Sequence, residues 1–242
     1  MENIKIMKEK IYTVPVNDAF AADSECPICA MFEQLENDAI EYTMGPSYME
    51  DDIRAVTDRK GFCQKHIKKI YEQNNRLGYA LVMKTHMDHV IKTIESYSQD
   101  KGTGKSLLKK GKESSVCNYI DELDNSCFVC DKISDTIERY VDTIFYMYKH
   151  DNEFRNTLAG CKGFCTNHYG LLMKKASEKL SNNEYNEFTE MITNLYLNNM
   201  KRVRDDVEWF INKFDHKYAD APWKNAKDSL VRATLKDTGI RL

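Results

Sequence analysis

The sequence contains two copies of one cysteine and histidine pattern, and this repeat constrains the fold more than any other feature. Each copy is a Cys-x-x-Cys pair followed by Gly-Phe-Cys-x-x-His, and 33 or 34 residues separate the pair from the next cysteine. The first copy supplies Cys26, Cys29, Cys63 and His66. The second copy supplies Cys127, Cys130, Cys165 and His168. A repeat spaced by about a hundred residues indicates a duplicated half rather than a solenoid.

Three cysteines and one histidine are a usual ligand set of structural zinc, which binds them as a tetrahedron. A Cys-x-x-Cys pair can bind one ion from a single turn, and Cys-x-x-His on a helix places both side chains on one face. We therefore predict that each half closes its own site, so that the chain binds two Zn²⁺ ions. Iron is the alternative metal, because tetrahedral thiolate sites accept both.

Other chemistries for the cysteines are weaker alternatives. Buried structural thiols would not explain the recurrence of two histidines. Cys26-Pro-Ile-Cys29 is similar to a thioredoxin-type redox site, but no βαβ pattern surrounds it and the second copy has no proline. Haem attachment is excluded because no histidine follows either pair directly. Cys117 and Cys161 lie outside the pattern and are expected to be ordinary thiols, although Cys161 could compete for the second metal.

The composition favours helices, because 10 Gly and 4 Pro in 242 residues are few chain breakers. Apolar residues recur at helical spacing along both halves, including a long stretch from about 184 to 214. We predict an all-α fold with two tandem helical units, each held by a Cys3His metal site, and a short extended arm within residues 3–16. The predicted segments are an N-terminal arm (1–25), a first repeat (26–97), a flexible basic linker (98–116), a second repeat (117–214) and a C-terminal tail packing on the repeats (215–242).

Two further motifs carry little chemistry. His86 and His89 could bind a metal at their spacing of three residues, but no third ligand is visible nearby and His86 lies on an apolar stripe. Gly104-Lys105-Ser106 is similar to the end of a phosphate-binding loop, but position 99 is Gln where that motif needs Gly.

The remaining composition excludes several classes of protein. A net charge of −3 argues against nucleic-acid binding. No apolar run reaches the 18 residues that a membrane span needs. The N-terminus has no apolar core and cleavage site of a secretory signal, so we expect a cytoplasmic protein.

Several runs resemble an uncharacterised bacterial family of unknown function from Gram-positive anaerobes. These runs are CPIC, KGFCQKH, NNRLGYALVMKTH, KGFCTNH and WFINKFDHKYADAPWKNAKDSL. Some members of that family carry the label ABC transporter substrate-binding protein. The resemblance covers nearly the whole chain and implies a helical fold with the same eight ligands, but no established activity.

The expectation from sequence is therefore a zinc-binding helical protein that binds another protein or a small ligand. A closed Cys3His shell leaves no open position for substrate, so the expectation leans away from an enzyme. The enzyme alternative is thiol–disulfide chemistry at Cys26 and Cys29 or metal-dependent chemistry near His86 and His89.

Overall fold

A computed structural model describes residues 11–99 and 115–242, and within these ranges the regular structure is entirely helical. The α-helices, numbered in chain order, are α1 Thr13–Ala21, α2 Pro27–Met44, α3 Asp51–Lys60, α4 Gln64–Glu72, α5 Arg76–Gln99, α6 Ser115–Asp124, α7 Phe128–His150, α8 Asn152–Gly160, α9 Thr166–Lys179, α10 Asn182–Asn212 and α11 Ser229–Thr238. Two short 3₁₀ helices span Pro46–Met49 and His216–Tyr218. The predicted all-α class is confirmed.

The ends of the helices follow local sequence signals. The long helix predicted at about 184–214 is α10, and it begins at a capping box in which the Ser181 backbone N–H donates to Glu184 at 3.0 Å. Helix α8 begins after Asp151, whose carboxylate accepts from the backbone N–H groups of Glu153 and Phe154. These contacts satisfy N–H groups that the first turn of a helix leaves unpaired.

The extended arm predicted within residues 3–16 is wrong over its described part, because helix α1 begins at Thr13. Val16 and Phe20 are four residues apart on one face of α1, and both are buried. Pro15 is tolerated in the first turn, where its missing N–H would have no intrahelical partner. Burial of that face therefore outweighs the alternation of residue types that favoured an extended chain.

Two predicted segments need separate comment. Most of the predicted linker, 98–116, lies outside the described residues, and its ends belong to α5 and α6. The tail contains one 3₁₀ helix and the short helix α11. No helix in the described ranges has both the length and the apolar character needed to cross a bilayer.

The chain divides into two compact units that differ from the two sequence repeats. The first unit combines Met1–Glu33 with Ile137–Leu242, and the second is Gln34–Thr136. The division falls within α2 and α7, so each unit takes residues from both repeats.

An aromatic core fills the first unit. Phe20 contacts Phe154 edge-on with ring centroids 5.2 Å apart, and Phe188 contacts Phe145 and Tyr148 at 5.1 and 4.9 Å. All five rings are buried. Such pairs add about 0.5–1.5 kcal/mol each beyond the area they bury, so this cluster is a main source of stability in the unit.

The second unit is held by apolar and polar contacts among α2 to α7. Ile40, Ile70 and Val82 are buried in its core. His86 on α5 contacts α3 through Nδ1, which donates to the Asp58 carbonyl oxygen at 2.7 Å. Helices α3 and α5 pack against each other along this contact.

Candidate metal centres

All four predicted ligand pairs lie at the first turn of a helix. Cys26 and Cys127 directly precede α2 and α7, and Cys63 and Cys165 directly precede α4 and α9. The second ligand of each pair follows three residues later, on the same face of the first turn. The positive end of the helix dipole favours a negatively charged sulfur at this position. The repeated motif is therefore a repeated local structure.

The glycine of each Gly-Phe-Cys motif allows the chain to turn into the ligand helix. Gly61 and Gly163 have φ values of +61° and +78°, in the left-handed region that favours glycine. A Cβ atom on Gly61 would also lie 2.7 Å from Cε1 of His86. These positions therefore need glycine for backbone conformation, and Gly61 needs it for space as well.

The eight predicted ligands form two groups. We call them outer and inner, because the positions of one group enclose those of the other in the sequence. The outer cluster consists of Cys26, Cys29, Cys165 and His168. The inner cluster consists of Cys63, His66, Cys127 and Cys130. In each cluster the candidate ligand atoms all lie within 4.8 Å of one another. The outer cluster belongs to the first unit and the inner cluster to the second.

This arrangement corrects the predicted pairing of the ligands. We expected Cys26 and Cys29 to join Cys63 and His66 within one repeat, and the second repeat to close its own site. Instead, each Cys-x-x-Cys pair meets the Cys-x-x-His pair of the other copy. Both clusters still have three sulfurs and one imidazole, because the two copies offer chemically equivalent pairs.

In the outer cluster, Nδ1 of His168 faces three sulfur atoms. It lies 3.4 Å from Sγ of Cys26, 3.2 Å from Sγ of Cys29 and 3.2 Å from Sγ of Cys165. The sulfurs of Cys29 and Cys165 are 3.6 Å apart. All three cysteines are buried.

The inner cluster has the same geometry with more exposure. Nδ1 of His66 lies 3.3 Å from the sulfurs of Cys63 and Cys130 and 3.2 Å from that of Cys127. The sulfurs of Cys63 and Cys130 are 3.8 Å apart. Cys130 is exposed and Cys63 is half-buried, whereas Cys127 is buried.

These separations fit four ligands around one ion. With zinc–sulfur bonds of about 2.3 Å and zinc–nitrogen bonds of about 2.0–2.1 Å, a tetrahedron separates two sulfurs by about 3.8 Å and sulfur from nitrogen by about 3.6 Å. The sulfur pairs, at 3.6 and 3.8 Å, are close to these values, and the sulfur–nitrogen pairs are slightly shorter. A disulfide would bring the sulfurs to about 2.05 Å. None of the eight cysteines, all of which lie in the described ranges, forms a disulfide.

Crowding of the thiols disturbs their protonation. In the outer cluster, hydrogen bonds to Cys165 and Cys26 raise the pKa of Cys29 far above its usual range, whereas hydrogen bonds from Cys26 and Cys29 lower the pKa of Cys165. Burial opposes protonation of His168, but hydrogen bonds to Cys165 and Cys26 outweigh it and raise its pKa to about 9. In the inner cluster, burial and the neighbouring Cys127 raise the pKa of Cys130 to about 12. A divalent cation among the sulfurs removes this conflict, because it stabilises all three as thiolates.

The inner cluster has an additional carboxylate that sequence reasoning missed. Glu36 on α2 is buried, and its Oε1 accepts from Nε2 of His66 at 2.9 Å. Lys65 and Lys69 lie 2.7 and 2.6 Å from its carboxylate oxygens. Burial opposes ionisation of Glu36, but hydrogen bonds from Lys65, Lys69 and His66 outweigh it and lower its pKa to about 2.

This contact leaves Nδ1 of His66 facing the three sulfurs, where it could bind a metal. A hydrogen bond from the far ring nitrogen to a carboxylate is the usual support of a metal-bound histidine, because it sets both tautomer and orientation. The signal for Glu36 in the sequence is its position four residues before Ile40 on α2, since both side chains are buried on that face. An acidic side chain at a buried position requires a charged partner.

The other candidate residues do not join either cluster. His86 is committed to the Asp58 carbonyl oxygen. Neither His86 nor His89 belongs to a group of metal-binding side chains within the described ranges. Cys117 is exposed on α6 and Cys161 is half-buried, and the two clusters contain neither. Gly104-Lys105-Ser106, already rejected as a phosphate-binding loop, lies outside the described residues.

Comparison with known proteins places the chain in a family. A model described as a family of unknown function (DUF6062) matches residues 7–241. The chain belongs to this family. No curated protein and no solved structure matches it. Membership in a family of unknown function, as the motifs implied, is therefore confirmed, and the chemistry of the chain has to be argued from its own side chains.

Proposed function

We propose that the protein binds two Zn²⁺ ions in structural Cys3His sites and acts as a binding or interaction module. The observation that carries this proposal is the pair of clusters, in each of which three sulfurs and one imidazole nitrogen lie within 4.8 Å of one another, close enough to surround one ion. Four protein ligands complete the coordination of zinc, so the ions would stabilise the fold rather than activate a substrate. Partners would be another protein or a small ligand.

The proposed ions stabilise each unit by joining distant segments. In the outer cluster, an ion links the start of α2 to the start of α9. In the inner cluster, an ion links the start of α4 to the start of α7. Zinc binding to comparable small sites contributes about 10–16 kcal/mol, which equals or exceeds the total stability of about 5–15 kcal/mol of an ordinary domain. Loss of either ion would therefore unfold at least part of its unit.

The cellular location that we propose is inferred from the sequence and not from the geometry of the metal clusters. A reducing compartment would keep all eight cysteines as thiols available to a metal. The cytoplasm of a bacterium, as the resemblance implies, meets this requirement. The zinc identity, this location and the partner class are parts of the proposal.

Metal analysis tests the proposal directly. Protein purified under reducing conditions without added metal should contain two zinc ions per chain, and Cys117→Ser should retain both because Cys117 lies outside the clusters. Removal of the metal with a chelator should lower the unfolding midpoint. Protein that carries no metal and forms a reversible Cys26–Cys29 disulfide would contradict the proposal and favour the redox alternative. Iron in place of zinc would keep the scaffold but change the ion.

A further inference from the structure

A basic cavity lies in the first unit, and its lining contains none of the eight cluster residues, although Glu25 directly precedes Cys26. Its volume is about 340 Å³, at the lower end of the range for small-molecule sites. Five basic side chains line it, namely Lys162, Arg202, Lys224, Lys227 and Arg232. The lining contains only two carboxylates, those of Glu25 and Asp228. Two further carboxylates pair with this lining, Asp23 with Lys162 and Asp206 with Arg232. The excess positive charge at the cavity is therefore that of Lys224 and Lys227, in a chain whose net charge is −3.

Ion pairs hold part of this lining in place. Nη2 of Arg202 donates to Oε2 of Glu25 at 2.5 Å, and Nη1 of Arg232 donates to Asp206 at 2.9 Å. Lys236 is buried and donates to the Glu25 carbonyl oxygen at 2.6 Å. The two arginines are therefore positioned before any ligand arrives, which reduces the entropy lost on binding.

The lysines of the lining are more accessible. Lys224 and Lys227 are exposed, in the segment that leads into α11. Nζ of Lys224 lies 4.3 Å from the ring centroid of Trp209, a cation–π contact that restricts its side chain. These ammonium groups can contact a ligand without leaving a buried ion pair.

The second polar feature of the cavity is an unsatisfied oxygen. The Glu25 side chain is 6% exposed, and its Oε1 has no hydrogen-bond partner among the described residues. Nη1 of Arg232 lies 3.9 Å from this oxygen, beyond hydrogen-bond distance, and Nζ of Lys236 lies 3.3 Å from the other carboxylate oxygen, Oε2. A buried acceptor without a donor costs free energy, because it has lost its hydrogen bonds to water without replacing them. A ligand that supplies an O–H group would remove this cost.

We propose that the cavity binds a small phosphate-bearing anion that also carries a hydroxyl donor. The phosphate oxygens would accept from the lysines and arginines, and a hydroxyl would donate to Oε1 of Glu25. Free hydrogen phosphate and a phosphate monoester of a small polyol both have this chemistry, since the ester keeps a free hydroxyl group. The volume of the cavity exceeds that of a phosphate ion, so the monoester is the better fit. This inference is independent of the proposed metal function.

Calorimetric titration of the full chain, as purified, tests the inference with three probes at constant ionic strength. Inorganic phosphate and glycerol 3-phosphate should each bind at one saturable site per chain, with glycerol 3-phosphate the tighter. Sulfate has the shape of phosphate without a hydroxyl at neutral pH and should bind at least about tenfold more weakly, as expected for the loss of one charged hydrogen bond.

Variants show whether binding occurs in this cavity. Lys227→Glu should weaken the binding of glycerol 3-phosphate by about tenfold or more. Lys174→Glu is the matched control, because it makes the same charge change at an exposed site on α9 outside the cavity and should have little effect. The inference is overturned if neither phosphate probe saturates below about 10 mM, which would leave a standard binding free energy weaker than about −3 kcal/mol. Equal affinity for sulfate, or equal effects of the two variants, would also overturn it.

Discussion

Replacing Glu36 by glutamine should weaken metal binding at the inner cluster and leave the outer cluster unchanged. Glutamine has nearly the same shape but no charge. Its oxygen can still accept from Nε2 of His66, which Glu36 now does at 2.9 Å. Its amide group would then face Lys69, whose Nζ lies 2.6 Å from the second carboxylate oxygen. Two donors would meet where a charged hydrogen bond exists now.

The magnitude follows from the role of this contact. Loss of the carboxylate behind a metal-bound histidine typically lowers metal affinity by 10- to 100-fold. Because glutamine keeps one acceptor for His66, we expect a loss near the lower limit, about tenfold, or about 1.4 kcal/mol. Metal binding at the outer cluster should be unaffected, since the cluster histidine that Glu36 contacts is His66 of the inner cluster.

Competition between the zinc-loaded protein and a chromophoric chelator measures this effect, because the two ions should leave in two steps. Glu36→Gln should shift one step only. Glu41→Gln is the matched control, since Glu41 is exposed on the same helix and should shift neither. Two unchanged steps, or equal shifts in both, would refute the assignment of Glu36 to the inner cluster.

Three other perturbations should have measurable effects on unfolding. Metal removal should lower the unfolding midpoint and helical content, as circular dichroism can record; an unchanged transition after confirmed removal would contradict a structural role. Phe188→Ala should cost about 3–5 kcal/mol in a denaturant titration, because Phe188 is fully buried, whereas Phe214→Ala should cost little at 77% exposure. Gly61→Ala should lower the free energy of unfolding by at least about 1–3 kcal/mol, because alanine disfavours the positive φ and its Cβ would clash with His86. Gly170→Ala is the control and should not destabilise the protein, because Gly170 lies in a helix with open space around it.

The ligands could be predicted from the sequence, but their pairing could not. Residue type and spacing identify all eight side chains, since each pair begins a helix in the same way. The sequence does not distinguish the two possible pairings, because both combine a Cys-x-x-Cys pair with a Cys-x-x-His pair. Because the loops within each repeat are shorter, they favoured the pairing within a repeat, which is wrong.

Loop length does not determine the pairing, because the free energy of closing a loop depends only weakly on its length. The inner cluster closes a loop of about 60 residues from His66 to Cys127, instead of 33 or 34 within a repeat. Each doubling of loop length costs only about 0.6 kcal/mol. Burial of a single large apolar side chain contributes about 1.5–3 kcal/mol. Packing of the helices therefore decides the pairing, and packing is not visible in the spacing of the motif.

Contacts between segments that are distant in sequence also explain why α1 and Glu36 were missed. Helix α1 was missed because its burial depends on contacts with α8, which is distant in sequence. Glu36 was missed because its partners Lys65 and Lys69 lie on another helix. The helix predicted at about 184–214 agrees with α10 to within two residues at each end, since the spacing of its apolar residues is a local signal.

The central claim, that each ion joins the two repeats, is tested most directly by the metal content of two double variants. Cys26→Ser with Cys165→Ser damages only the outer cluster, so this protein should retain one tightly bound ion per chain. Cys26→Ser with Cys63→Ser damages both clusters and should retain none. Both variants lose two sulfurs, so each controls for the other. The opposite result, one ion with Cys26→Ser and Cys63→Ser and none with Cys26→Ser and Cys165→Ser, would show that each repeat closes its own site.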